Sequence, residues 1–211
     1  MVNDAGSDLG QGAGFDQWHR SVLGAANRFW YQVTRDLPEC DFTPFAPDAD
    51  RQALTGHSMS GHGAKCCGTP CPPPAAITGH SMGGHGALTI AMTPPERYRG
   101  VLALAPVAHP TVPDRGRRQV TADLGPDEAT WAGQDTTLLM GIGGSAGPVL
   151  PDQGSTGPFP DLLLPEALAA AAVQRRQAVT LRIKARHDHS SFLVASFMPD
   201  HVACHTGERG A

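Results

Sequence analysis

A chain of 211 residues, 40% of them hydrophobic, is long enough for one domain with a sizeable core. Its net charge of -4 offers no basic field for nucleic acid or an anionic lipid surface. No apolar run approaches the length that spans a bilayer, and Met1-Val2-Asn3-Asp4 opens neither a basic nor an apolar leader, so a soluble cytoplasmic protein is expected, read as one domain over 1–211. Glycine and proline, 25 and 19 residues, predict a loop-rich architecture. The five cysteines, Cys40, Cys66, Cys67, Cys71 and Cys204, lack the spacing of a disulfide framework or a zinc finger, so free thiols and no metal are expected.

Residues 1–16 read as a loop-like terminus. From Gln17 to Leu37 apolar residues recur at helical spacing around Trp18, Val22, Phe29 and Val33, and Pro38 closes the segment. Asp41 to Asp50, with Pro44 and Pro47, is a connection, and Arg51 to Thr55 a weak strand. Thr55-Gly-His-Ser-Met-Ser-Gly-His-Gly-Ala64 follows directly. Twenty-three residues later Thr78-Gly-His-Ser-Met-Gly-Gly-His-Gly-Ala87 repeats it, differing only at Ser60 and Gly83. Two copies fall short of a solenoid, so residues 55–87 read as a local duplication.

Both copies carry Gly-x-Ser-x-Gly, the pattern of a serine at the apex of a strand-to-helix turn. Such a turn strains the backbone, and the flanking glycines make room for it. Ser58 has the better strand before it, but Gly68-Thr69-Pro70 ends any helix within a turn. Ser81 has only Ala75 to Thr78 as a strand, followed by a helix that runs to Pro94-Pro95. The helix brings the Met82 N–H as an oxyanion donor together with its dipole. Ser81 is therefore the favoured nucleophile, and Ser58 the alternative.

Downstream, Val101 to Ala105 is an apolar run of strand length, Leu164 to Gln174 a helix started by Pro165, and Val179 to Ile183 an alternating strand. That order argues an α/β fold with a mostly parallel sheet. Gly141 to Gly147 resembles a phosphate loop, but Pro148 and Pro151 follow it where a helix is needed, so it reads as a flexible loop. After the last strand come His187, Asp188 and His189, where an α/β hydrolase delivers its general base. His189 is the candidate, and His187 is expected to be a solvated neighbour.

The run from Gly79 to Leu88, with Pro95-Glu-Arg-Tyr98, Ala103-Leu-Ala-Pro106, Asp123-Leu-Gly-Pro-Asp127, Asp152-Gln-Gly154, Asp188-His-Ser190 and Asp200-His201, resembles the S-formylglutathione hydrolase family, also called esterase D. Gly12-Ala-Gly-Phe15 and Asp36-Leu-Pro-Glu39 extend the likeness upstream, so it covers most of the chain. The resemblance implies a partial α/β-hydrolase fold lacking the early N-terminal strands, and hydrolysis of the thioester S-formylglutathione without metal or organic cofactor. It implies that His80 and His85 shape the elbow. Exposed sheet edges would leave room for a homo-oligomer. The family's triad acid falls at Gly157 of this chain, where no carboxylate stands. Asp152, ahead of Asp161, is the expected substitute. The alternatives implied are a catalytically impaired remnant and a broad-specificity carboxylesterase.

Overall fold

The computed structural model describes residues 53–57, 75–93, 95 and 98–206. The expected helix over 17–37, the cysteine loop and Ser58 lie outside them. In chain order the elements are β1 (Ala53–His57), β2 (Ala75–His80), α1 (Met82–Met92), β3 (Tyr98–Leu104), α2 (Asp114–Leu124), α3 (Thr136–Ile142), β4 (Val149–Gly154), α4 (Pro160–Leu163), α5 (Pro165–Arg175), β5 (Arg182–Lys184) and α6 (Ser191–Thr206). Two short 3-10 turns, Glu128–Thr130 and Ala132–Gln134, join α2 to α3.

The five strands lie side by side in the order β1-β2-β3-β4-β5, all parallel. Helices supply the crossovers that parallel strands require, giving the α/β architecture expected from the sequence. Alternation along the strands sorts their side chains onto two faces. Ile77, Val101, Ala103 and Val149 face a core built with Leu88 of α1, Met140 of α3 and Leu168 of α5. Thr78, Leu104 and Asp152 point the opposite way, toward α6, whose Leu193 packs on Leu104 and Ala105. Every buried aliphatic side chain of this kind contributes roughly 1.5–3 kcal/mol.

Local chemistry sets the element ends. Asp135 caps α3, its Oδ1 accepting the N–H groups of Thr137 and Leu138 at 3.0 and 3.1 Å. Its Oδ2 accepts the Thr111 hydroxyl at 2.7 Å and lies 2.8 Å from His109 Nδ1, which fastens the loop after β3. The glycine-rich segment after α3 is tied down as well. Gln177 accepts the Ser145 N–H and donates to the Gly147 carbonyl, so the loop read as flexible is held by a side chain.

The strand read over 179–183 is shorter in the structure, and Pro151 explains why. Val149 N–H donates to the Ala178 carbonyl on the β5 side, so alternation turns residue 151 to that side too. Proline brings no N–H there. Val149 still bridges Val179, and regular pairing resumes only at Asp152 with Arg182.

The duplicated motif behaves as two neighbouring strands. Thr55, Gly56 and His57 stand opposite Thr78, Gly79 and His80, so each residue pairs with its own copy.

Candidate active site

β2 delivers the chain into α1 through a turn that leaves Ser81 at φ 59° and ψ -122°. A non-glycine residue held there costs about 1–3 kcal/mol and persists only where its surroundings enforce it. Here the Ser81 N–H donates to the Leu104 carbonyl at 2.9 Å, and the Ser81 carbonyl accepts the His85 N–H at 3.0 Å. The turn is also sterically selected, since a Cβ on Gly79 would lie 2.2 Å from the Gly83 carbonyl oxygen. Met82 opens α1, so its N–H is one of the first-turn donors that the helix ladder does not use. Its side chain packs on Val120, Leu124 and Trp131.

The loop after β5 brings His189 to this turn, with Nε2 at 2.7 Å from Ser81 Oγ. A hydroxyl and an imidazole at that separation can pass a proton as the oxygen attacks an electrophile. His80 and Phe159 flank the imidazole, their ring centroids 4.9 and 5.3 Å away, and Phe159 meets it edge-on. His80 thus touches the base, and His85 Nε2 lies 2.8 Å from the Gln134 carbonyl oxygen. Both are buried. His187 is not the solvated neighbour expected. It stacks on Phe192 with an interplanar angle of 7° and packs against Phe197, with Nδ1 3.0 Å from the Ala185 carbonyl oxygen.

Position 157 adjoins the base in space as well as in pattern. A Cβ on Gly157 would stand 3.4 Å from the His189 backbone nitrogen, and Gly157 itself has φ +140°. Hydrogen bonds zip its loop to the His189 loop: Thr156 donates to the His187 carbonyl from both N–H and hydroxyl, and Ser155 N–H donates to that of Lys184.

Asp152 is engaged elsewhere. Its fully buried carboxylate accepts Arg182 Nε at 2.5 Å and Nη2 at 2.6 Å, lies 3.1 Å from His201 Nε2, and has Lys184 Nζ 3.5 Å away. Burial pushes the carboxyl up, but the hydrogen bonds of His201 and Arg182 outweigh it and hold the group below the usual carboxylate range. The reading of Asp152 as the acid that orients His189 is therefore corrected: a carboxylate with no water around it is drawn to the nearest cations. Asp161, the other acid considered, sits exposed in the first turn of α4.

Sequence reasoning missed the partners of this carboxylate. Arg182 and Lys184 stand two apart on a strand, hence on one face. Two cations on one face of a sheet strand signal an acidic neighbour, but the register naming it is a contact across 30 residues. His201 carries the network further. Its Nδ1 lies 3.1 Å from Thr78 Oγ1, and both residues are buried.

Among the described residues no helix is long and apolar enough to cross a membrane, and no three His, Cys, Asp or Glu side chains gather as a metal would require.

Residues 68–196 match the Esterase family model. The chain is similar over its whole length to the S-formylglutathione hydrolase of Paracoccus denitrificans, at 47% identity and covering 67% of it. The Mus musculus S-formylglutathione hydrolase is 33% identical over 94% of the chain, which covers 64% of that protein. Among solved structures, the S-formylglutathione hydrolase of Agrobacterium tumefaciens superposes with a TM-score of 0.65 at 31% identity, over 84% of this chain and 56% of that one. Esterase B of Lactobacillus rhamnosis, at 16% identity and TM-score 0.52 over 64% of this chain and 54% of that one, shares the fold. The chain thus spans at most about two thirds of the length of these relatives.

Proposed function

Because this chain belongs to the S-formylglutathione hydrolase family of esterases, we propose that it hydrolyses a thioester through Ser81 and His189, with S-formylglutathione as substrate. The observation that carries the reading is the 2.7 Å approach of His189 Nε2 to Ser81 Oγ at a strained elbow. Ser81 Oγ attacks the formyl carbon, and its proton passes to His189 Nε2. Charge gathers on the carbonyl oxygen, where the Met82 N–H donates. The carbon–sulfur bond breaks, His189 returns the proton to sulfur, and glutathione leaves as its thiol. Water then attacks the formyl ester, giving its proton to His189. The proton returns to Ser81 Oγ, and formate leaves. The chemistry draws on no metal or organic cofactor.

Formaldehyde detoxification in the cytoplasm is the setting such a substrate implies. A homo-oligomer is the further expectation, read by light scattering of the purified chain.

Labelling with a fluorophosphonate probe, followed by peptide mapping, tests the site. The expected result is one adduct, on Ser81, lost in His189→Ala. An adduct on Ser58 would move the nucleophile to the first copy. No adduct on a folded sample would overturn the catalytic reading in favour of an inactive hydrolase remnant. Comparing S-formylglutathione with p-nitrophenyl acetate separates the thioesterase from a broad carboxylesterase.

A further inference from the structure

The carboxylate of Asp152 touches both flanks of the segment that bears His189. Upstream, Arg182 and Lys184 of β5 reach it, and the chain then runs through residues 185–188 to His189. Downstream, α6 begins at Ser191, and its His201 reaches the same carboxylate from inside the sheet–helix interface. The loop is therefore bracketed by two elements that converge on one buried anion. The far nitrogen of His201 meets Thr78, three residues before Ser81 on the strand that ends at the nucleophile. With the carboxyl ionised, His201 Nε2–H donates to Asp152, which leaves Nδ1 to accept the Thr78 hydroxyl proton.

We propose that Asp152 is a positioning residue for His189, acting as a clasp that ties β5 and α6, the two supports of the base loop, to the strand that carries Ser81. The inference rests on the reading of Ser81 and His189 as the reacting couple. Its physical basis is distance tolerance: a near-attack geometry lost by about 1 Å can cost on the order of 100-fold in rate. The loop has a second fastening in the zipper to Ser155 and Thr156, but those bonds join it to another exposed loop. Only the clasp refers it to the buried strand that ends at the nucleophile.

Replacing Asp152 itself exposes buried cations to a missing partner and threatens folding. The decisive variants are therefore at the far end. Thr78→Val keeps the shape and removes the hydroxyl, Thr78→Ser keeps the hydroxyl, and His201→Gln keeps a polar group without the ring. Turnover of p-nitrophenyl acetate is measured per serine titrated by a fluorophosphonate, so that unfolded molecules drop out. Leu168→Val, in the core on α5 and outside the network, serves as the control for a purely structural loss.

The expected result is that Thr78→Val and His201→Gln lower kcat per titrated site by roughly tenfold or more with KM little changed. Thr78→Ser and Leu168→Val stay within about threefold of the parent on the same scale. If Thr78→Val and His201→Gln turn over at the parent rate per site, the clasp is structural only and the proposal falls, while the catalytic couple stands. A parent chain that neither labels at Ser81 nor turns over would overturn the catalytic reading, and the positioning role with it.

Discussion

The molecule holds two histidine–hydroxyl couples within a few residues of each other on the same strand and turn. Ser81 and His189 meet at 2.7 Å on the partly open side, and Thr78 and His201 meet at 3.1 Å in the sealed interior. Their atoms are nearly the same, yet their surroundings assign them different work. The interior couple is completed by Asp152, with Arg182 and Lys184 balancing its charge. At the surface couple, the position that the family resemblance assigns to an acid is Gly157. A buried polar chain must be satisfied at every member, because an unmet group there costs about 1–3 kcal/mol, whereas a surface couple can draw on water. Similar constellations are thus told apart by access and strain: only Ser81 sits at positive φ, with its hydroxyl lifted from the strand.

The sharpest way to break the comparison is Ser81→Ala. Turnover should fall by about 10⁴-fold or more, with the urea midpoint unchanged. Its interior counterpart is Asp152→Asn, which should cost about 3–5 kcal/mol in urea unfolding, because Arg182 loses its anion. The same variant should alter the acid limb of stability. The Asp152 carboxyl is held low in the folded chain, so its contribution is full above the unfolded value of about 3.9 and is lost as pH falls through the folded one. Asp152→Asn flattens that limb, and an unchanged acid midpoint would contradict the assignment.

Gly157→Asp sharpens the comparison from the other side, by giving the surface couple what the interior one has. A side chain there starts 3.4 Å from the His189 backbone nitrogen, at a φ of +140° that strains any residue but glycine. A rise in kcat of roughly tenfold, with some loss of thermal stability, is expected. An unchanged kcat would show that an acid at 157 adds nothing. The smallest effect belongs to His205, one helical turn beyond His201. Burial first, and neighbouring His201 second, lower it from 6.5 to about 4. The unfolded chain therefore takes up the proton first, so stability is full above pH 6.5 and declines as pH falls toward 4. His205→Gln should flatten the slope across that window in pH-dependent urea titrations.

What the sequence disclosed was local. The elbow at Ser81 is written in glycines two residues to either side, the α5 start in Pro165, and the buried β3 in an unbroken apolar run. His189 was legible as a histidine just past the last alternating segment. The destination of Asp152 was not, because it depends on a strand register across 30 residues and a helix contact across 49. The truncation of β5 depended on a proline in the neighbouring strand, a cause lying outside the affected segment. The packing of His187 on Phe192 and Phe197 follows the same rule, since α6 had to fold back before those rings could meet it.

The pairing of β1 with β2 also bears on how the chain finds its fold. The paired pentapeptides, Ala53-Leu-Thr-Gly-His57 and Ala76-Ile-Thr-Gly-His80, differ by one branched aliphatic isomer, and the register offset equals the repeat. Two nearly interchangeable strands therefore compete for the central slot beside β3, and threading the earlier one there shifts everything upstream by a full repeat without disturbing a single local preference. Such degeneracy roughens the folding landscape at the strand that ends in the nucleophile. It predicts parallel refolding routes that collapse to one when Thr55 and Gly56 are replaced by residues a buried strand rejects.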